Sequence, residues 1–182
     1  TLDLLNVGCA REAGVGRALH SAGSVAAQRG DYAAAVQLYE ASLGIRRRLN
    51  DQPQVAALLS NLGIVARLRG DLDEARTLHE ESLGIRRVLG DRRAIAVSLN
   101  NLGNVALDQH DTTTARNRLE EAVAIQRVVG DKQYLANALN NLGNVIRAQG
   151  DWAAARDLYI ESLTLNQELG DTWALAYVLA DM

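Results

Sequence analysis

Apolar residues recur every three or four positions along most of this chain, which is the spacing of helices with one buried face. In residues 53–69 the pattern is carried by Val55, Leu58, Leu59, Leu62, Val65 and Ala66. Gly70-Asp71 interrupts it, and residues 72–89 then show the same spacing. Glycine permits the left-handed conformation that ends a helix, and aspartate accepts hydrogen bonds from the first N–H groups of the next. The pattern therefore predicts two helices of about 17 residues, each about 25 Å long, joined by a short turn.

This pair of helices returns every forty residues. The positions that keep the period are Gly23, Gly63, Gly103 and Gly143, with Asp31, Asp71, Asp111 and Asp151 at one turn and Asp51, Asp91, Asp131 and Asp171 at the other. A fixed period of twenty to fifty residues is typical of a solenoid, in which each unit buries its apolar face against its neighbours. The sequence therefore predicts an all-α protein, an α-solenoid of antiparallel helix hairpins.

The period also predicts the organisation of the chain. Hairpins are expected at 14–50, 51–90, 91–130 and 131–170, and residues 171–182 would begin a fifth. Residues 1–13 fit the period poorly, because Arg11 stands where the capping aspartate is expected. We interpret them as a linker or the frayed end of a preceding unit. Since the chain starts without methionine and stops inside a unit, we interpret it as a fragment of a larger protein, whose arginine-rich composition is typical of a GC-rich bacterial genome.

One turn departs from the pattern, because His110 replaces the glycine found at positions 30, 70 and 150. If the turn keeps its shape, His110 must adopt a positive φ, which histidine tolerates better than β-branched residues do. The alternative is a rewound turn with His110 in the right-handed region.

Three segments resemble the first-helix signature of tetratricopeptide repeats: Leu59-Ser60-Asn61-Leu62-Gly63, Leu99–Gly103 and Leu139–Gly143. That family has small and large packing positions, which here are Ala75, Ala115 and Ala155, then Tyr39, His79, Leu119 and Tyr159. The usual period is 34 residues, and the longer repeat is similar to those of kinesin light chains and of large bacterial signalling ATPases and transcription regulators. The resemblance implies a right-handed superhelix that binds extended peptides or partner helices on its concave face.

The recurring glycine also has a packing explanation that does not depend on the resemblance. With no side chain at Gly63, the first helix can approach the second closely. We expect Ala75 to supply the small surface opposite it.

The inward positions that the resemblance implies fall at i, i+4 and i+7 on each first helix. They are Ser60, Ile64 and Arg67; Asn100, Asn104 and Leu107; and Asn137, Asn140, Asn144 and Arg147, with His20, Ser24 and Ala27 in the first unit. Asparagine is a poor helix former, and its amide can both donate to and accept from a peptide backbone. Asn100, Asn104, Asn140 and Asn144 are therefore expected to face a ligand, whereas Asn61, Asn101 and Asn141 are expected to bond to neighbouring backbone. Arg67 and Arg147 would add a preference for acidic ligands.

Charge and composition exclude several classes of function. The net charge is −3 with both signs interspersed, so no basic stripe supports direct binding to nucleic acid. No apolar run approaches the ~18 residues of a membrane span. Cys9 is the single cysteine, which rules out an internal disulfide and agrees with a cytoplasmic location.

Catalytic and cofactor chemistry have no visible basis in the sequence. His20, His79 and His110 form no motif, and His79 is expected to be a packed, hydrogen-bonded side chain. The clusters Arg46–Arg48 and Arg86-Arg87 lie near helix ends, where a solvated face that complements the helix dipole is favoured over an anion site. We therefore expect neither an enzyme nor a cofactor.

Two functions remain open at this point. The first is a protein-protein interaction module that binds a protein or peptide ligand, as the sensor or regulatory part of a larger bacterial signalling or transcription-regulator protein. The second is a structural scaffold that self-associates through its exposed end helices, above all through residues 172–182.

Overall fold

The computed structural model describes the backbone of residues 2–170 and the side chains of residues 8–170. Over that range the chain forms eight helices and no strand. They are α1 (Leu2–Gln28), α2 (Tyr32–Arg48), α3 (Gln52–Leu68), α4 (Leu72–Leu89), α5 (Arg92–Asp108), α6 (Thr112–Val129), α7 (Lys132–Ala148) and α8 (Trp152–Leu169). The all-α fold of helical hairpins is confirmed. The proposed start of a fifth unit at 171–182 lies outside the described residues.

The chain divides into two compact units, Thr1–Leu89 and Gly90–Met182. In unit 1, α1 packs on α2, α2 on α3 and α3 on α4. In unit 2, α5 packs on α6, α6 on α7 and α7 on α8, and the two first helices α5 and α7 also touch. Residues 2–13, interpreted from the sequence as a linker or frayed end, continue α1 as regular helix.

Aspartate side chains start six of the helices, as the period predicts. The cap predicted at Asp71 is wrong, because its side chain pairs with Arg69 at 3.2 Å instead. The side chains of Asp31, Asp51, Asp91, Asp111, Asp131 and Asp151 each accept a hydrogen bond from the backbone N–H three residues later. Replacing such a cap with alanine costs about 1 kcal/mol. The short turns between helices are thus fixed by local side-chain chemistry.

The turn at His110 keeps the shape of the glycine turns. His110 has a φ of 61°, and its N–H donates to the carbonyl of Leu107 over 2.9 Å. Asn50 also has a positive φ, of 54°. Of the two alternatives left open by the sequence, the left-handed conformation of His110 is confirmed and the rewound turn is wrong.

Each hairpin is closed by a large side chain lying on the recurring glycine. A Cβ atom at Gly63 would come within 2.8 Å of the His79 ring, and one at Gly143 within 2.5 Å of the Tyr159 ring. Gly23 meets Tyr39 and Gly103 meets Leu119 in the same way. The close approach of the helices is confirmed, but the expected partner is wrong, because the large residue rather than the alanine covers the glycine.

A buried hydroxyl adds a second tie within three of the hairpins. Ser42, Ser82 and Ser162 each donate to a carbonyl of the preceding first helix over 2.8 Å. Alanine takes this place at position 122. Such a bond contributes about 1 kcal/mol because it satisfies groups that are shielded from water.

Candidate functional site

The predicted ligand-facing residues lie on α3, α5 and α7, and they differ in accessibility. Ser60 and Asn140 are each only 4% exposed, so they belong to the packed interior and would have to move to touch a ligand. Arg67 on α3 and Arg147 on α7 are half-buried. Of the predicted ligand-facing amides in unit 2, four remain accessible, and we call them the amide surface: Asn100, Asn104, Asn137 and Asn144.

A hydrogen bond between first helices orients one of these amides. Asn141 Nδ2 on α7 donates to Asn100 Oδ1 on α5 over 2.9 Å. In unit 1, at the same point of the period, Asn61 Nδ2 lies 2.8 Å from His20 Nε2. The structural role expected for Asn61 and Asn141 is therefore confirmed, but their partners are side chains of the preceding first helix rather than neighbouring backbone.

A second bond, across the hairpin, orients Asn144. The Tyr159 hydroxyl on α8 donates to Asn144 Oδ1 over 2.7 Å. In unit 1 the Tyr39 hydroxyl contacts Ser24 Oγ at 3.1 Å in the same register. The bond from Tyr159 orients the amide of Asn144, which lowers the entropy lost when a ligand binds.

A small cavity opens beside the amide surface in unit 2. It measures about 80 Å³ and is lined by Ala96, Val97, Asn100, Gln126, Tyr134, Asn137 and Ala138. Gln126 is 1% exposed, and its Oε1 accepts no hydrogen bond from any residue in the described part of the chain. Gln126 is not among the site residues predicted from the sequence. The signal that identifies it is the break in the forty-residue period, where Arg46 and Arg86 give way to glutamine.

The arginine clusters are arranged differently from the expectation. Arg46 is 5% exposed and Arg86 is 9% exposed, so the solvated face is wrong for both. Arg46 donates to Asp51 Oδ2 over 2.8 Å and to the Ala13 carbonyl over 3.2 Å. The other three arginines of the clusters, Arg47, Arg48 and Arg87, are exposed as expected, and Arg47 pairs with Glu81 at 2.8 Å. The buried arginine thus connects three helices of unit 1 and is a structural residue.

His79 is packed as expected, but the hydrogen bond predicted for it is wrong. Its side chain is fully enclosed, and neither ring nitrogen has a hydrogen-bond partner among residues 8–170. Burial, followed by the positive charges of Arg86 and Arg67, lowers the pKa of His79 from 6.5 to about 4. A neutral, enclosed imidazole in this position contributes to packing.

Packing also governs the environment of His20. The pKa of His20 is lowered by burial and then by Arg46, and its ring packs edge-on against Tyr39 with centroids 5.8 Å apart. The side chains of residues 8–170 contain no cluster of three or more histidine, cysteine, aspartate or glutamate residues suited to a metal ion. Within the described helices, none is long and apolar enough to cross a membrane.

The comparison with known families gives one clear result. The sequence profile described as "Tetratricopeptide repeat" matches residues 14–87, 54–128 and 134–182. These segments cover nearly the whole chain. No curated protein matches the sequence.

Solved structures share the fold at low sequence identity. BtubC (BKLC) from P. vanneervenii, a kinesin light chain-like protein, is 19% identical with a TM-score of 0.74, over 100% of this chain and 84% of that one. A Rap protein complexed with competence and sporulation factor is 17% identical with a TM-score of 0.85, over 92% of this chain and 46% of that one. Aspartyl phosphate phosphatase F from Bacillus subtilis is 11% identical with a TM-score of 0.86, over 92% and 44%. The chain thus spans just under half of the last two proteins, and these likenesses concern the fold alone.

Proposed function

We propose, from the premise that this chain belongs to the tetratricopeptide repeat family, that the amide surface of α5 and α7 binds an extended peptide or a partner helix. The family's fold is generally a non-catalytic protein-interaction scaffold. Arg147 completes the surface on α7, and Ser60 and Arg67 occupy the corresponding positions on α3 in unit 1.

The observation that carries this proposal is the concentration of oriented, accessible amides on two touching helices. Asn100 and Asn144 are each fixed through Oδ1, by Asn141 and Tyr159 respectively. Asn104 and Asn137 lie on the same two helices, half-buried and exposed. A peptide backbone offers alternating N–H and C=O groups, and an amide side chain can pair with either. Each net bond contributes about 1 kcal/mol, so several together support moderate affinity.

Charge refines the chemistry of the proposed partner. Arg147 lies at the end of α7, three residues beyond Asn144. Arginine binds carboxylates through two parallel hydrogen bonds. We therefore propose a partner that places an acidic side chain near the C-terminal end of α7, with neutral backbone along the amides.

We further propose that the chain is the sensor or regulatory part of a larger bacterial signalling protein. One protein with a similar fold is a Rap protein, whose structure is a complex with competence and sporulation factor. At 17% identity that likeness supports the fold only, so the regulatory role rests on the repeat type and on the amide surface.

Selection of binders from a displayed library of random peptides tests the proposed surface. Selected peptides should bind the unaltered chain and the variant Asn117→Ala equally, because Asn117 is an exposed asparagine on α6. The double variant Asn104→Ala/Asn137→Ala should lose about tenfold or more in affinity, as expected for two hydrogen bonds. Equal affinity for all three proteins in isothermal calorimetry would place binding elsewhere and refute the proposal.

A further inference from the structure

The cavity beside the amide surface is a consequence of one change in the repeat. Position 46 of the first hairpin carries a buried arginine, whose guanidinium reaches both Asp51 and the Ala13 carbonyl. Position 126 is its equivalent in the third hairpin and carries glutamine. Glutamine is shorter and neutral, so the space filled by a guanidinium in unit 1 is partly open in unit 2.

The aspartate that would pair with an arginine at position 126 already forms an ion pair with a different residue. Asp131, the equivalent of Asp51, pairs with Arg93 at 2.6 Å. The same guanidinium lies over the ring of Tyr134, 5.1 Å from its centroid. Charge is therefore balanced at the border of the cavity, and no charged side chain lines it.

The lining selects a neutral polar group. Its polar members are three amides, from Asn100, Gln126 and Asn137, and the phenol of Tyr134, while its walls are alanine and valine. A charged group would lose its hydration without meeting an opposite charge. An apolar group would leave the buried Gln126 oxygen without a donor, which is itself unfavourable.

We propose that this cavity is a subsite for a primary carboxamide, the side-chain terminus of an asparagine or glutamine in the partner. A carboxamide both donates and accepts, so it complements the Gln126 amide, whose soft terminal torsion lets it present either its oxygen or its nitrogen. The volume of about 80 Å³ exceeds the 10–15 Å³ that one water molecule needs.

The position of the cavity connects it to the proposed peptide surface, and to that extent the subsite rests on the proposed function. Asn100 and Asn137 belong to both. A peptide whose backbone lies along these amides therefore passes the mouth of the cavity and can direct one side chain into it. The subsite would make the module select partners by one residue in addition to backbone contacts.

Titration with acetamide tests the subsite without any peptide. Amide signals of Gln126, Asn100 and Asn137 are followed by two-dimensional ¹H–¹⁵N NMR, and acetate and methylammonium are titrated in parallel. Acetamide should produce saturable shifts confined to the cavity, and the two ions should produce none. Absence of saturation with acetamide, or equal responses to the ions, would overturn the proposal and leave a cavity that holds only water.

Three variants separate the subsite from general effects. Gln126→Arg restores the residue of the first two hairpins and should abolish acetamide binding. Gln126→Met keeps the volume but removes the amide, and should weaken binding more than about fivefold. Gln167→Arg is the matched control, because positions 47, 87 and 127 all carry arginine and Gln167 is exposed; it should bind acetamide normally. Unchanged binding by the methionine variant would also overturn the assignment.

The outcome is separable from that of the peptide experiment. If acetamide binds at Gln126 but the selected peptides ignore Asn104 and Asn137, the proposed peptide surface fails and the carboxamide subsite stands. If the peptides depend on those asparagines while acetamide fails to bind, only the subsite is refuted.

Discussion

The hairpin α3/α4 in unit 1 and the hairpin α7/α8 in unit 2 have the same helical arrangement, but a buried polar ring forms a hydrogen bond in only one of them. In α7/α8, Tyr159 lies on Gly143 and sends its hydroxyl across to Asn144. In α3/α4, His79 lies on Gly63 in the same register, and the residue that corresponds to Asn144 is Ile64. The first ring orients a surface amide, and the second stays enclosed without a hydrogen bond. One repeat position can thus either support the binding surface or serve packing alone.

The largest expected difference between the two hairpins is in how the free energy of unfolding changes at low pH. The pKa of His79 is about 4 in the folded chain against 6.5 when unfolded, so the unfolded chain binds more protons between these values. The contribution of His79 to the free energy of unfolding is therefore highest above pH 6.5 and decreases as the pH falls toward 4. The expected decrease is about 3 kcal/mol for about 2.5 pKa units. Urea unfolding at several pH values measures it. The variant His79→Leu, which copies Leu119, should lose this part of the pH dependence; an identical pH profile would contradict the assignment.

Adding a Cβ atom at the recurring glycine should destabilise both hairpins, and α7/α8 more strongly than α3/α4. In Gly143→Ala the new Cβ would lie 2.5 Å from the enclosed Tyr159 ring, which predicts a loss of about 2 kcal/mol through overpacking. Gly63→Ala, with 2.8 Å to His79, should lose less.

The control for this substitution is Gly84→Ala, because a Cβ there meets nothing within 4 Å. Alanine favours the helix over glycine by up to about 1 kcal/mol, so this variant should gain stability. If all three variants raised the melting temperature by a similar amount, the glycines would act through helix propensity and not through packing.

Removing the hydroxyl in α7/α8 should make that hairpin resemble α3/α4. Tyr159→Phe deletes the bond to Asn144, with an expected loss of about 1 kcal/mol in the free energy of unfolding. The affinity for selected peptides should also fall. Tyr32→Phe is the control, since Tyr32 is half-buried and makes no hydrogen bond with the described residues. If peptide affinity fell equally in both variants, the orientation of Asn144 would not be the cause.

The smallest effects should be the same in both units. The exposed pairs Arg47–Glu81 and Arg127–Glu161 each span 2.8 Å at equivalent positions, and such pairs contribute less than about 1 kcal/mol. Arg47→Ala and Arg127→Ala should each shift the urea midpoint slightly, and the shift should fade in high salt. A large effect of either variant at high salt would mean that packing, not charge, is at work there.

The sequence predicted the helices and turns because those signals are local. A capping aspartate and a residue that accepts positive φ act within four residues, and even His110 followed the rule. The sequence did not predict which polar side chains are enclosed. Asn140 and Asn100 occupy equivalent places in adjacent hairpins of unit 2, yet Asn140 is 4% exposed whereas Asn100 is half-buried. That difference is set by the packing of neighbouring hairpins, which periodicity does not contain.

Arginine shows the same limit for charge. Arg46 reads as a surface residue in a helical pattern, and it is buried because Asp51 and a backbone carbonyl satisfy its guanidinium. Only comparison between repeats shows that this position is special, since its occupant changes from arginine to glutamine and then to asparagine at 166. The sequence therefore showed an irregularity at position 126, and its link to a cavity could be recognised only once the burial of this position was known.

Because a glycine lies beneath each large side chain, different residues can occupy this interior position of a hairpin. Tyrosine, histidine and leucine all rest on the same bare stretch of helix, so this position can change its chemistry without moving the backbone around it. A lineage that carries this repeat can therefore alter acid sensitivity or the orientation of a surface amide by a single codon. Recognition and scaffold geometry can evolve independently in such a chain.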